Sequence, residues 1–173
     1  MNVTKRIGVL IAAGLLVLGL GGTAAYAVAA VFSGGATTQH LVRTEDTAST
    51  YNGATWQTLA SHSVRVPTFS SRLITARLTG ESACTGTGGW CTVRVIIRNN
   101  GTGSTTALYP KSDRDFAFDS VRSGTSDDNW ESHSVERAIR MRSGSYSVMV
   151  QRAVVGSATF RLDDWTYTVD VNR

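Results

Sequence analysis

The chain has 173 residues, 42% of them hydrophobic and 17% charged, which excludes a charge-saturated disordered tail and makes one domain the natural count. Its formal charge is +4, from 17 basic and 13 acidic residues. Lys5 and Arg6 lie in a leader segment, so 15 basic residues face 13 acidic ones beyond it, and the electrostatic footprint of a nucleic-acid-binding domain is excluded.

Lys5 and Arg6 precede Ile7 to Leu20, an apolar run without a charge, and then Thr23-Ala24-Ala25-Tyr26-Ala27. A positive start, an apolar middle and an A-x-A site, in that order, predict a secretory signal peptide over 1–27. An uncleaved anchor is the alternative, because no charge occurs from Ile7 through Phe32. The expectation is a secreted, extracellular protein with a flexible mature N-terminus over 28–38, a folded domain over 39–173 and no membrane association after cleavage.

The mature chain shows no long amphipathic helical pattern. Val64 and Val66 end at Pro67; Ile74, Ala76 and Leu78 alternate; Val93, Val95 and Ile97 alternate into Asn99-Asn100-Gly101, a tight-turn signal. Phe116 and Phe118 alternate, and Ser143-Gly144 turns the chain into Tyr146, Val148 and Val150. This is the pattern of an all-β protein, expected as a two-sheet antiparallel β-sandwich of jelly-roll type with about eight to ten strands.

Cys84 and Cys91 enclose six residues, three of them glycine. In an oxidising compartment they are expected to form one disulfide across the base of a hairpin between antiparallel strands. Two thiols are too few for zinc, and no histidine pair has ligand spacing.

Between Lys111 and Glu136 lie seven of the thirteen acids: Asp113, Asp115, Asp119, Asp127, Asp128, Glu131 and Glu136. Ser123-Gly124-Thr125-Ser126 marks a loop there. Glu131, His133, Val135, Arg137, Ile139 and Met141 share one side of an extended strand, so Arg137 interrupts an apolar face. An internal arginine needs a partner, and Asp164 or Asp119 is the expected carboxylate. Glu131 and His133 form a candidate ligand-facing cluster with Trp90 and Trp130, whose rigid faces suit stacking on a sugar.

The last strand changes parity. Phe160 and Leu162 are apolar at even positions, whereas Trp165, Tyr167, Val169 and Val171 are apolar at odd ones. A β-bulge at Asp163-Asp164 lets both halves face one core.

Glu81-Ser82-Ala83-Cys84, Trp90 to Val95, Phe116 to Ser120, Trp130 to Ser134 with Arg137, and Phe160 to Trp165 resemble a group of small secreted proteins of high-GC Gram-positive bacteria. The resemblance implies the compartment and no activity. Leu162-Asp163-Asp164-Trp165 is also similar to the last strand of galactose-binding-type jelly rolls, including carbohydrate-binding modules. That likeness implies a structural calcium at Asp163 or Asp164, with Glu45 and Asp46 as further ligands.

Catalytic signatures are sparse. No serine has the G-x-S-x-G setting, the histidines are His40, His62 and His133, and the acids carry no spacing that fixes a glycosidase pair. The expected function is therefore extracellular binding or assembly without catalysis, with no catalytic residue and no obligatory cofactor. The partner is a glycan or a second copy in a homo-oligomer, not nucleic acid. A calcium-dependent carbohydrate-binding module is the alternative and a small secreted hydrolase the third reading.

Overall fold

The computed structural model describes residues 32–111, 116–121 and 130–173. The segment 1–27 and Asp113, Asp115, Asp127 and Asp128 lie outside the described residues. Among the described residues there is no helix, and hence none long and apolar enough to cross a membrane. The strands are β1 (Thr37–Glu45), β2 (Ser49–Tyr51), β3 (Gln57–Asn99), β4 (Thr105–Ala107), β5 (Asp119–Ser120) and β6 (Glu131–Asn172), all paired antiparallel.

β3 and β6 run for 43 and 42 residues through several bends, so the eight to ten strands expected are carried within six continuous elements. Their pairing resolves them into shorter segments. Residues 71–86 of β3 lie between 131–142 and 158–172 of β6, and β1 and β2 cover the far side of 158–172. Residues 144–156 of β6 lie between 57–66 and 89–99 of β3, and β4 and β5 pair with 89–99.

The result is a β-sandwich. Ile74, Ala76, Leu78, Val169 and Val171 of the first group meet Val93, Val95, Ile97, Val148 and Val150 of the second in one core cluster, as alternation on two facing sheets requires. β1 begins at Thr37, two residues before the expected boundary. The Gly35 amide donates to the Arg173 carbonyl and the Arg173 amide to Ala36, so the chain is fastened from Gly35 onward.

The bulge occurs where the parity change puts it. Thr79 pairs with Thr166 and Glu81 with Asp163, leaving Asp164 and Trp165 opposite Gly80, and Asp164 takes a left-handed φ of 42°. Phe160, Leu162, Trp165 and Tyr167 are all at most 2% exposed.

Cys84 and Cys91 are joined by a disulfide, but its setting differs from the expected hairpin base. Cys84 is in register with Phe160 and Cys91 with Val154, so the bridge links the two layers at a corner. The glycine-rich loop there carries the chain from one sheet to the other instead of turning it back beside itself.

The core also holds a stacked pair. The rings of His62 and Tyr167 lie 5.4 Å apart and nearly parallel, at 10°. The Tyr167 hydroxyl, His62 Nε2 and Trp165 Nε1 are buried with no hydrogen-bond partner among the described residues. Burial pushes the Tyr167 phenol well above its ordinary pKa, because the phenolate would lose its hydration.

Candidate binding site at one end of the sandwich

Trp130 immediately precedes β6, Glu131 and His133 open it, and Trp90 lies on β3 beside Cys91; Trp130, stacked on outward Arg161, and His133, packed on Phe118 and Ser82, leave the chain on opposite faces. β5 sets Trp90 opposite Ser120 and Cys91 opposite Asp119, while Ser82 is in register with both Glu131 and Leu162, and Ala83 with Arg161. All of these lie toward the end of the sandwich where Gly86 and Gly89 approach the backbone of Val155 and Ser157. Trp90 and Trp130 are each half-buried and Glu131 is exposed. The Arg161 guanidinium carbon stands 4.9 Å from the centroid of the Trp130 ring, within cation–π range.

A polar chain ties this end together. Ser82 shares the inward parity of Ile74, Ala76 and Leu78 and is 0% exposed. Its hydroxyl donates to Asp119 Oδ2 at 2.9 Å and lies 2.9 Å from His133 Nδ1. With its one proton directed at Asp119, the hydroxyl accepts from an Nδ1–H of His133. His133 Nε2 is then left facing Glu131 Oε2 at 3.7 Å, and the imidazole packs against Phe118 at 5.5 Å between centroids.

Arg137 is interior, at 8% exposure, as its parity predicts. Asp164, the first expected partner, is exposed on the bulge, and Asp119, the second, is engaged by Ser82. The structure does not bring Arg137 and Asp164 together. The Arg137 guanidinium stacks over Phe116 at 4.6 Å and donates from Nη1 to the Glu136 carbonyl at 2.8 Å, and burial holds its pKa below the ordinary arginine value. An extended strand tells which side a residue takes but not what the opposite layer presents to it.

The four acids implied as calcium ligands are partly gathered. Glu45 is in register with Trp165, next to Asp164, and the Asp163 side chain accepts from the Asp164 amide at 2.9 Å. No group of three or more His, Cys, Asp or Glu side chains arranged to hold a metal occurs among the described residues.

Sequence reasoning missed Ser82 as a hub, although its even position after Leu78 was the available signal. It also missed Trp56. Thr58, Gln151 and Arg94 form a row across three neighbouring segments: Arg94 Nε donates to Gln151 at 2.9 Å, Gln151 Nε2 to Thr58 at 3.2 Å, and Trp56 stacks on Arg94 at 4.3 Å.

No family model and no curated protein matches the chain. Among solved structures it is similar to dimeric latent PorU from Porphyromonas gingivalis, with 14% identity and a TM-score of 0.32; the likeness covers 83% of this chain and 14% of that one. The chain thus corresponds to a small part of that protein's length, and a TM-score this low carries no argument about function.

Proposed function

We propose that the protein is a secreted, non-catalytic module of jelly-roll type that binds an extracellular glycan through the end bearing Trp90, Trp130, Glu131 and His133. Secretion rests on the order of residues 1–27. The jelly-roll reading is supported by the pairing order, β1/β2, 158–172, 71–86, 131–142 in one group and 57–66, 144–156, 89–99, β4/β5 in the other.

The observation that carries the binding reading is the burial of Ser82. A serine, a histidine and a carboxylate are the parts of a nucleophilic triad. Here the hydroxyl is withheld from solvent at 0% exposure and directs its proton to Asp119. The chain then works as a brace, fixing His133 close to exposed Glu131. An aromatic face next to immobilised polar groups is the surface a sugar ring fits.

A calcium-dependent form of this reading is favoured by one observation, the register of Glu45 beside the Asp163-Asp164 bulge. A glycan array run with and without chelator tests both forms. Trp130→Ala should abolish retention on the preferred polysaccharide with little change in melting temperature. A stable homo-oligomer with no glycan retained would favour assembly. Glycoside or ester hydrolysis that disappears in Glu131→Gln would overturn the non-catalytic reading.

A further inference from the structure

The opposite end of the sandwich has a different chemistry. There the bend 67–70 joins residues 57–66 to 71–86, beside the turns 99–105 and 142–144. Phe69 stands at the tip of that bend, 100% exposed, with a left-handed φ of 56°, a conformation that bulky side chains rarely take. The bend is not slack: the Ser70 hydroxyl donates to the Pro67 carbonyl at 2.7 Å. The ring is thus held out into solvent on a braced tip, at a cost in both strain and hydration that the isolated fold does not recover.

Basic residues outnumber acidic ones at this end, where Asp170, in register with Thr75, is engaged by His40. Residues 63–75, 96–107 and 138–149 contain Arg65, Arg72, Arg98, Arg140 and Arg142 and no Asp or Glu. Register places Arg65 opposite Ser145, Arg142 opposite Ser71 and Arg140 opposite Leu73, so these residues lie on the segments that lead into the Phe69 bend and on those paired with it. Glu81, Asp119, Glu131, Asp163 and Asp164 all belong to the other end. The first described residues also reach this basic end, where Arg140 donates to the Ser33 carbonyl and Asn172 and Leu73 flank Gly34. The sequence preceding Ser33 is the charge-free stretch from Ile7 to Phe32.

We propose that this end docks on a bilayer containing anionic lipid, with the Phe69 ring entering the headgroup layer and Arg65, Arg72, Arg140 and Arg142 meeting lipid phosphates. Neither feature suffices alone: one apolar group gives marginal, reversible attachment, and stable binding takes a second signal such as a basic patch. A soluble polyanion would use the arginines and leave the phenyl ring without a role. The proposal is independent of glycan binding at the other end, and it departs from the expectation of no membrane contact after cleavage.

The full chain carrying Thr68→Cys, which keeps the Phe69 ring, tests it, because the two native cysteines are joined and the new thiol, exposed beside that ring, takes an environment-sensitive dye alone. With vesicles of phosphatidylglycerol and phosphatidylcholine the dye should shift to the blue and be quenched by a nitroxide on the lipid. With phosphatidylcholine alone it should not. Removing Arg65 or Arg142 as glutamine should weaken partitioning by about fivefold each, the factor expected per basic residue near an anionic surface. In the unlabelled chain Phe69→Ser should weaken it by roughly tenfold or more, the loss expected for an apolar ring. A dye that stays in water on both vesicles, or responds equally to both, overturns the proposal. So does a blue shift without lipid that grows with protein concentration, which would identify a second copy as the occupant.

Discussion

Gly80 lies directly against Trp165: a Cβ built on the glycine would stand 2.6 Å from the Trp165 Cβ and 3.0 Å from its Cα. The closeness follows from the bulge, which puts two residues of β6 opposite one of β3 and presses the wider strand onto its neighbour. Gly80→Ala should therefore lower stability by about 1–3 kcal/mol, the range for overpacking a well-filled interior. The denaturant midpoint measures it, and an unchanged midpoint would mean that the bulge yields without cost.

Ser82→Ala removes at once the donor to Asp119 and the acceptor facing His133. A partly buried carboxylate and imidazole would be left under-satisfied, at a cost of roughly 1–3 kcal/mol. In a double-mutant cycle, the same change made on a His133→Ala background should cost less, with a coupling of about 0.5–3 kcal/mol as for groups in one network. Strict additivity would show that the three side chains do not act together.

Tyr167→Phe should leave stability unchanged or raise it by about 1 kcal/mol, because the hydroxyl it deletes is buried with no partner among the described residues. The pH dependence has a definite sign. Since the folded-state pKa is raised, the contribution of Tyr167 is intact below the unfolded pKa of about 10 and is lost as pH rises above it, by up to about 1.4 kcal/mol per pH unit. Denaturant midpoints measured between neutral and strongly alkaline pH should fall less steeply in the phenylalanine variant. Equal slopes would mean that the phenol ionises alike in both states.

Replacing Cys84 and Cys91 together by serine should cost about 2.5 kcal/mol, the loop-closure value for so short a link in the chain-entropy account. Because the bridge ties one layer to the other, hydrogen exchange in 81–86 and 89–93 should accelerate before that of the strands farther along. Uniform acceleration throughout would show that the disulfide acts only on the unfolded chain.

What the sequence disclosed depended on how local the signal was. The parity change between Leu162 and Trp165 needs only neighbouring residues, and it correctly located the bulge and the four inward side chains. The inward position of Arg137 was legible for the same reason. Its stacking on Phe116 was not, because the two residues come from segments whose meeting is set by sheet order. The cysteines announced their bond through spacing, yet whether a short loop turns beside itself or crosses to the other layer depends on which β6 segment claims each flank. The Ser82–Asp119–His133 chain draws on three strands, and no periodicity within any one of them reveals it.

The pairing of Thr37 with Asn172 and of 158–172 with both β1 and residues 71–86 constrains the order of folding. The stretch 158–172 is an interior strand of its layer, flanked by segments made long before it. Until it arrives, β1 has no neighbour and 71–86 presents an open edge, so an incomplete chain cannot seal its core however long it waits. Non-local closure of this kind slows folding, and it leaves this layer open until residues 158–172 have taken their place between β1 and 71–86.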